Sequence, residues 1–364
     1  MNMANRTMLF LLLAISMLIC FQFDTYVDLS GRHATPDVHQ HVRLWFFTVD
    51  CEKSSYMFWS KVAVISAKQN SNLLPCMMLI GRDLDFEEWM RAQGVVIAYV
   101  VPENFALFRQ IRDDTVGKGI TLHVGAWIRL FIPQILENET LTNSFDGIPK
   151  DYILYTDTDV IFLDDVYIDY QRLPKQLSFA IQGDKYFSGD PFLRNSHLNS
   201  GVMIMNVSGY RESYPEFEQY ISYYASTEGS NFTRIGDQGL LKHFYPLSPK
   251  WTVFDLPTLL VNHRTYFLSI FSKYHSTALP KILEWEPYLG VNEDAVIIHF
   301  HGPKFALEGC NDINVSWSYT NAHLHKMMHV EKYEKLRRIL NFEGLQHYGR
   351  MFLHYGSVVC LQDV

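Results

Sequence analysis

From Arg43 onward, apolar runs of strand length alternate with longer segments whose apolar residues recur at helical spacing. The pattern predicts strands over residues 43–49, 73–80 and 95–101, with helices over 56–68 and 86–93 between them. Such alternation points to an α/β sheet with crossover helices. Residues 124–136 read as a helix that Pro133 kinks or ends. Residues 152–155 are short and wholly apolar, which predicts a central strand. Further on, strands are expected over 177–182, 201–207 and 295–300, and helices over 214–225, 238–244 and 322–340. No repeat or linker divides residues 41–310, so they are expected to form one domain, with 311–364 as a C-terminal helical extension.

The strand at 152–155 runs straight into Asp157-Thr158-Asp159. Ligands of open α/β sheets bind at the carboxyl ends of strands, so the acid pair sits where a site is expected. In an extended chain, residues two apart face the same side. Two carboxylates placed together repel, and a divalent cation relieves that repulsion. Their hard oxygens favour magnesium or manganese, which can bridge to a diphosphate. A surface turn with two solvated aspartates is the alternative. The strand at 295–300 ends in His299-Phe300-His301-Gly302-Pro303-Lys304. A neutral imidazole at His299 can complete the ligand set, with His301 as the nearby alternative. Gly302 permits close backbone approach, and Lys304 brings a cation suited to phosphate. Asn199-Ser200-Gly201 opens one strand and Gly236-Asp237-Gln238-Gly239 opens one helix. They read either as a turn and a helix cap or as side chains that bind sugar hydroxyls.

Composition narrows the partners. The net charge of −8 argues against a nucleic-acid backbone binder. With 48% hydrophobic and 19% charged residues, the chain is globular rather than disordered. Residues 1–23 carry Arg6 followed by an apolar run from Met8 to Phe21. No small-x-small cleavage site follows, so an uncleaved signal anchor is expected, with residues 24–40 as a stem and the remainder luminal. A cleaved signal and a secreted protein are the alternative. Cys51, Cys76, Cys310 and Cys360 allow three pairings in an oxidising lumen. N-glycan sequons occur at Asn138, Asn206, Asn231 and Asn314, and Asn206 follows an apolar run that is expected to bury it.

The ordered set "GAWIRLFIP", "YILYTDTDVIFL", "LNSGVMIMNV", "GDQGLL" and "IIHFHGPK" resembles family 8 retaining glycosyltransferases, the group that includes glycogenin and bacterial lipopolysaccharide galactosyltransferases. The resemblance spans residues 45–304 and implies a GT-A fold: a Rossmann-like mixed sheet flanked by helices. It implies a nucleotide-sugar donor, usually a UDP-sugar, and a manganese (or magnesium) ion. By position, Asp157, Asp159 and His299 resemble the family's metal ligands, and Gly302 and Lys304 its diphosphate contacts. Asn199, Asp237 and Gln238 resemble residues that line the donor sugar, with Gln238 or Asp237 near the anomeric carbon. Arg129 matches an arginine near the donor, and Thr48 and Val49 the nucleoside-binding end of the first strand. Where the family has two residues between the glycine and the lysine, followed by Pro-Trp, this chain has only Pro303, followed by Phe305-Ala306.

The expected protein is a membrane-anchored enzyme of the Golgi or endoplasmic reticulum that moves a sugar to a glycan or glycoprotein. Two other readings compete. One is a phosphohydrolase of the haloacid dehalogenase type, whose nucleophile also lies in an Asp-x-Asp pattern. The other is a non-catalytic nucleotide-sugar-binding protein on the same fold.

Overall fold

The computed structural model describes residues 40–105, 108–109, 124–137, 141, 143–168, 177–183, 198–228, 236–245, 252–255, 263–264, 294–300 and 343–362. The strands are β1 (Gln40–His41), β2 (Leu44–Asp50), β3 (Leu74–Ile80), β4 (Val96–Tyr99), β5 (Tyr152–Thr156), β6 (Val160–Phe162), β7 (Tyr167–Ile168), β8 (Leu177–Gly183), β9 (Leu198–Asn206), β10 (Thr252–Asp255), β11 (His263–Arg264) and β12 (Ile297–His299). The helices are α1 (Ser54–Asn70), α2 (Leu84–Ala92), α3 (Val124–Ile128), α4 (Ile132–Ile135), α5 (Val207–Glu228), α6 (Gly236–Phe244) and α7 (Glu343–Gln362).

Among the described residues, seven strands form the main sheet in the order β10-β8-β9-β5-β2-β3-β4. All its neighbours run parallel except where β9 lies antiparallel to β5 and β8. The fold is the expected one, a mixed α/β sheet flanked by helices. Alternation along β2 sorts the core. Trp45, Phe47 and Val49 pack with Met77, Leu79 and the apolar sides of α1 and α2. Leu44 and Phe46 face the other way, with Met78, Trp127, Phe131, Tyr210 and Phe217.

Local signals set the ends of these elements. Asp83 accepts a hydrogen bond from Phe86 N at 3.0 Å and caps α2. At the other end, Gly94 turns through φ 85°. Its N–H reaches Arg91 O and that of Val95 reaches Met90 O, the paired bonds that close a helix on a left-handed glycine. Asn206 caps α5, its Oδ1 accepting from Gly209 N at 2.8 Å and from Ser208 Oγ at 2.9 Å. It is 8% exposed, so this sequon is buried as expected. Asn138, Asn231 and Asn314 lie outside the described residues.

A second sheet carries the chain past the acid pair. Its order is β11-β12-β6, with β6 antiparallel to β12. The end of α1 grips β6: Phe162 N donates to Ser66 Oγ at 3.1 Å, and Asn70 Nδ2 donates to Phe162 O at 3.0 Å. Asn70 Nδ2 also lies 2.7 Å from Tyr355 Oη of α7. α7 adds Phe352, Tyr355 and Val359 to the core formed by α1 and β6. Phe352 meets Phe300 edge-on at 5.1 Å. The C-terminal extension is helical where it is described, but its helix lies at Glu343–Gln362, beyond the 322–340 that the sequence pattern pointed to, which lie outside the described residues. Cys51 and Cys76 are free thiols and Cys360 is disulfide-bonded, so Cys51, Cys76, Cys310 and Cys360 do not form two bridges among themselves. The apolar run of residues 8–21 lies outside the described residues; among those described, no helix is long and apolar enough to cross a membrane.

Two stability outcomes follow. Phe352→Ala removes a buried ring that joins α7 to Phe300, the residue just past β12, and should lower the unfolding free energy in urea by about 3–5 kcal/mol. Glu87, buried on α2, has a carboxyl held below its ordinary 4.5: burial alone would raise it, but hydrogen bonds from Tyr99, Arg82 and Arg91 prevail. A depressed carboxyl stabilises the fold above the unfolded-state value and loses that contribution as the pH falls through the folded one. Glu87→Gln should therefore cost about 1–2 kcal/mol at pH 7. In denaturation curves, the gap to the natural protein should close as the pH drops below 4.5.

Candidate metal centre

β5 lies between β9 and β2 in the main sheet, and its burial explains the wholly apolar run. Trp45 Nε1 donates to Thr156 Oγ1 at 2.9 Å, fixing the last residue of β5 against β2. The next residue, Asp157, donates its N–H to Gly201 O of β9 at 2.8 Å. The chain then leaves the main sheet and enters the small one, where Val160 pairs with His299. Phe300 N donates to Asp159 O at 2.8 Å. Asp157 is thus tied to β9 and Asp159 to the exit of β12, at the junction of the two sheets.

That junction converges three side chains. His299 Nε2 lies 3.4 Å from Asp159 Oδ1 and 3.8 Å from Asp157 Oδ2. One ligand atom from each of Asp157, Asp159 and His299 lies within 4.8 Å of the others. His299 is fully buried and Asp159 nearly so, whereas the Asp157 side chain is 32% exposed. The cluster is closed behind and open in front. Two carboxylates and an imidazole form a hard oxygen and nitrogen donor set that fits manganese or magnesium.

A fixed cation also faces Asp157. Arg129 Nη2 donates to Asp157 Oδ1 at 2.9 Å, and Arg129 Nε lies 3.2 Å from Asp237 Oδ2. The guanidinium lies over the Tyr155 ring at 4.6 Å, donates from Nε to Ala126 O at 2.8 Å and from Nη1 to Ser200 O, and reaches Ser200 Oγ at 3.2 Å. Burial works against its charge, yet Asp157 and Asp237 outweigh burial and hold it protonated. Pro133 helps aim it. A proline there has no N–H for the carbonyl of Arg129 and crowds it, so the expected helix breaks. The segment splits into α3, a 3-10 turn over Arg129–Phe131, and α4.

Asp237 stands in the first turn of α6. Its Oδ2 accepts from Ser200 Oγ at 2.9 Å, and Gln238 Oε1 accepts from Ser200 N at 3.2 Å. Burial raises the Asp237 carboxyl above its usual range, against the opposing pull of Arg129 and Ser200. Ser200 is the junction that sequence reasoning missed, although it lies inside the Asn199-Ser200-Gly201 motif. The register explains the miss. Ile181 pairs with Met203 but Gln182 with Asn199, so β9 bulges at residues 200–202. A bulge re-aims side chains that strict alternation would send elsewhere.

The structure thus brings together Asp157, Asp159, His299, Arg129, Asp237 and Gln238. Thr48 lies near the end of β2 against α3, where a Cβ on Gly125 would meet its Cγ2 at 3.7 Å. The Val49 side chain is fully buried in the core on the α1 side, leaving only its main chain for a ligand. Asn199 lies on β9 beside Ser200, and Gly302 and Lys304 lie outside the described residues.

No family model matches the chain, and no curated protein matches it. The chain is similar in structure to glycosyltransferases. Galactosyltransferase LgtC, solved with donor and acceptor sugar analogues, is 14% identical over 80% of this chain and 99% of its own, with a TM-score of 0.47. Mouse xyloside xylosyltransferase 1, apo form, is 12% identical over 71% of this chain and 97% of its own, at 0.48. The apo form of glycosyltransferase GlyE from Streptococcus pneumoniae TIGR4 is 16% identical over 79% of this chain and 63% of its own, at 0.43.

Arg129→Met should leave the buried Asp237 carboxylate uncompensated and Asp157 without its fixed partner, and cost about 3–5 kcal/mol in chemical denaturation. Arg129→Lys keeps the charge but loses the fork that spans both acids, and should recover only part of that loss.

Proposed function

We propose that the chain is a metal-dependent retaining glycosyltransferase that moves a sugar from a nucleotide sugar, UDP-linked by the motif resemblance, to a glycan or glycoprotein acceptor. The observation that carries this reading is the convergence of Asp157, Asp159 and His299 at the carboxyl end of the central strand β5. A bound manganese or magnesium ion supplies positive charge opposite a departing diphosphate.

The chain's own groups do the rest. Asp157, Asp159 and His299 hold the ion, with Asp157 on the open side. Arg129 donates to Asp157 and orients it. Asp237 and Gln238, both fixed by Ser200, present polar atoms to the hydroxyls of the donor sugar, near its anomeric carbon. Asn199 extends that wall. Thr48 and the main chain of Val49 border the nucleoside, while Gly302 and Lys304 meet the diphosphate oxygens. The acceptor hydroxyl attacks the face that the leaving group vacates, which retains the anomeric configuration. Residues 1–23 anchor the chain and residues 24–40 form the stem, with the catalytic domain in the lumen of the Golgi or endoplasmic reticulum.

The test is a screen of UDP-sugars for manganese-dependent UDP release by the full-length protein in detergent, with and without acceptor. The natural protein should release UDP with one donor. Asp159→Ala should lose about a hundredfold or more of that rate while keeping its melting temperature. Unchanged turnover in Asp159→Ala would refute the ligand assignment, and binding of UDP without any hydrolysis would favour the non-catalytic reading.

A further inference from the structure

Arg129 serves two acids at once. Its Nη2 holds Asp157 Oδ1 at 2.9 Å, and its Nε lies 3.2 Å from Asp237 Oδ2. The arginine and Asp237 side chains are only 5% and 8% exposed, so solvent and salt screen the interaction weakly. Asp237 is not among the three side chains that converge as metal ligands. Its carboxylate nevertheless competes with Asp157 for the same guanidinium.

We propose that Asp237 sets how tightly the site holds a divalent cation, acting through Arg129 rather than as a ligand. The inference rests on reading Asp157, Asp159 and His299 as a cation site. Three carboxylates, Asp157, Asp159 and Asp237, stand beside one guanidinium, an excess of two acidic groups over basic ones that complements a divalent ion. Removing the charge at Asp237 leaves one. The negative potential of Asp237 no longer offsets Arg129, and an arriving cation meets a less negative site at Asp157. Coupling of this kind is reciprocal. A cation on Asp157 loosens its hold on Arg129 and strengthens the pairing of Arg129 with Asp237, so metal binding steadies a side chain on the sugar side of the site.

Manganese alone tests this, titrated into the full-length protein in detergent without nucleotide sugar. Free ion is followed by electron paramagnetic resonance, and folding by thermal melting. The natural protein should bind Mn2+ and Asp159→Ala should lose it. Asp237→Asn, which keeps an acceptor for Ser200, should bind about tenfold more weakly, and Asp237→Glu, which keeps the charge, within about threefold of the natural protein. If Asp237→Asn does not fold, Asp237→Ser carries the same expectation. Affinity in the neutral variant within about twofold of the natural protein overturns the role of Asp237 while leaving the cation site intact. Absence of Mn2+ binding by the natural protein sinks the cation site itself, and this inference with it.

Discussion

The pairing of one buried guanidinium with two carboxylates organises this site. Arg129 is almost wholly buried, and the charge that burial disfavours is compensated chiefly by Asp157 and Asp237 on either side of it. The same dependence runs the other way. Asp237 is buried deeply enough that its charge would be costly alone. Each of the three is placed by a different part of the chain: the broken helix, the end of β5 and the start of α6. Holding them together requires all three elements to be docked at once, so the electrostatics of the site and the packing of the domain are one problem.

The two sheets divide the labour. The main sheet supplies a rigid central strand, with β5 locked to β2 through Trp45 and to β9 through the Gly201 carbonyl. The small sheet supplies the imidazole. Because β6 begins one residue after Asp159 and pairs with β12, the second acid and His299 are held by the same ladder. α1 and α7 close the back of that ladder through Ser66, Asn70, Tyr355 and Phe352.

Much of this was legible in the residues. The short apolar run before Asp157 announced a central strand, and the run before His299 announced a second one, because burial on both faces demands continuous hydrophobicity. Pro133 announced a break. Less legible were features that depend on register. Ser200 turns toward Arg129 through a bulge that no local pattern marks. The three residues of β6 are too few to show a period. In α7, Phe352, Tyr355 and Val359 repeat at helical spacing, but Gly344, Gly349 and Gly356 lower the propensity of the segment and mask it. The sequence suggested a metal as the compensation for the two acids; that an arginine already compensates one of them needed the fold.

The antiparallel pairing of Val160 with His299 carries an evolutionary corollary. Side chains on a strand swap faces with every single-residue slip. Lengthening or shortening the loops in the long stretch of sequence between these two strands leaves their alignment untouched. One residue gained or lost within the strands themselves would turn the imidazole to the opposite face, and drift by insertion and deletion is therefore barred from this small part of the chain.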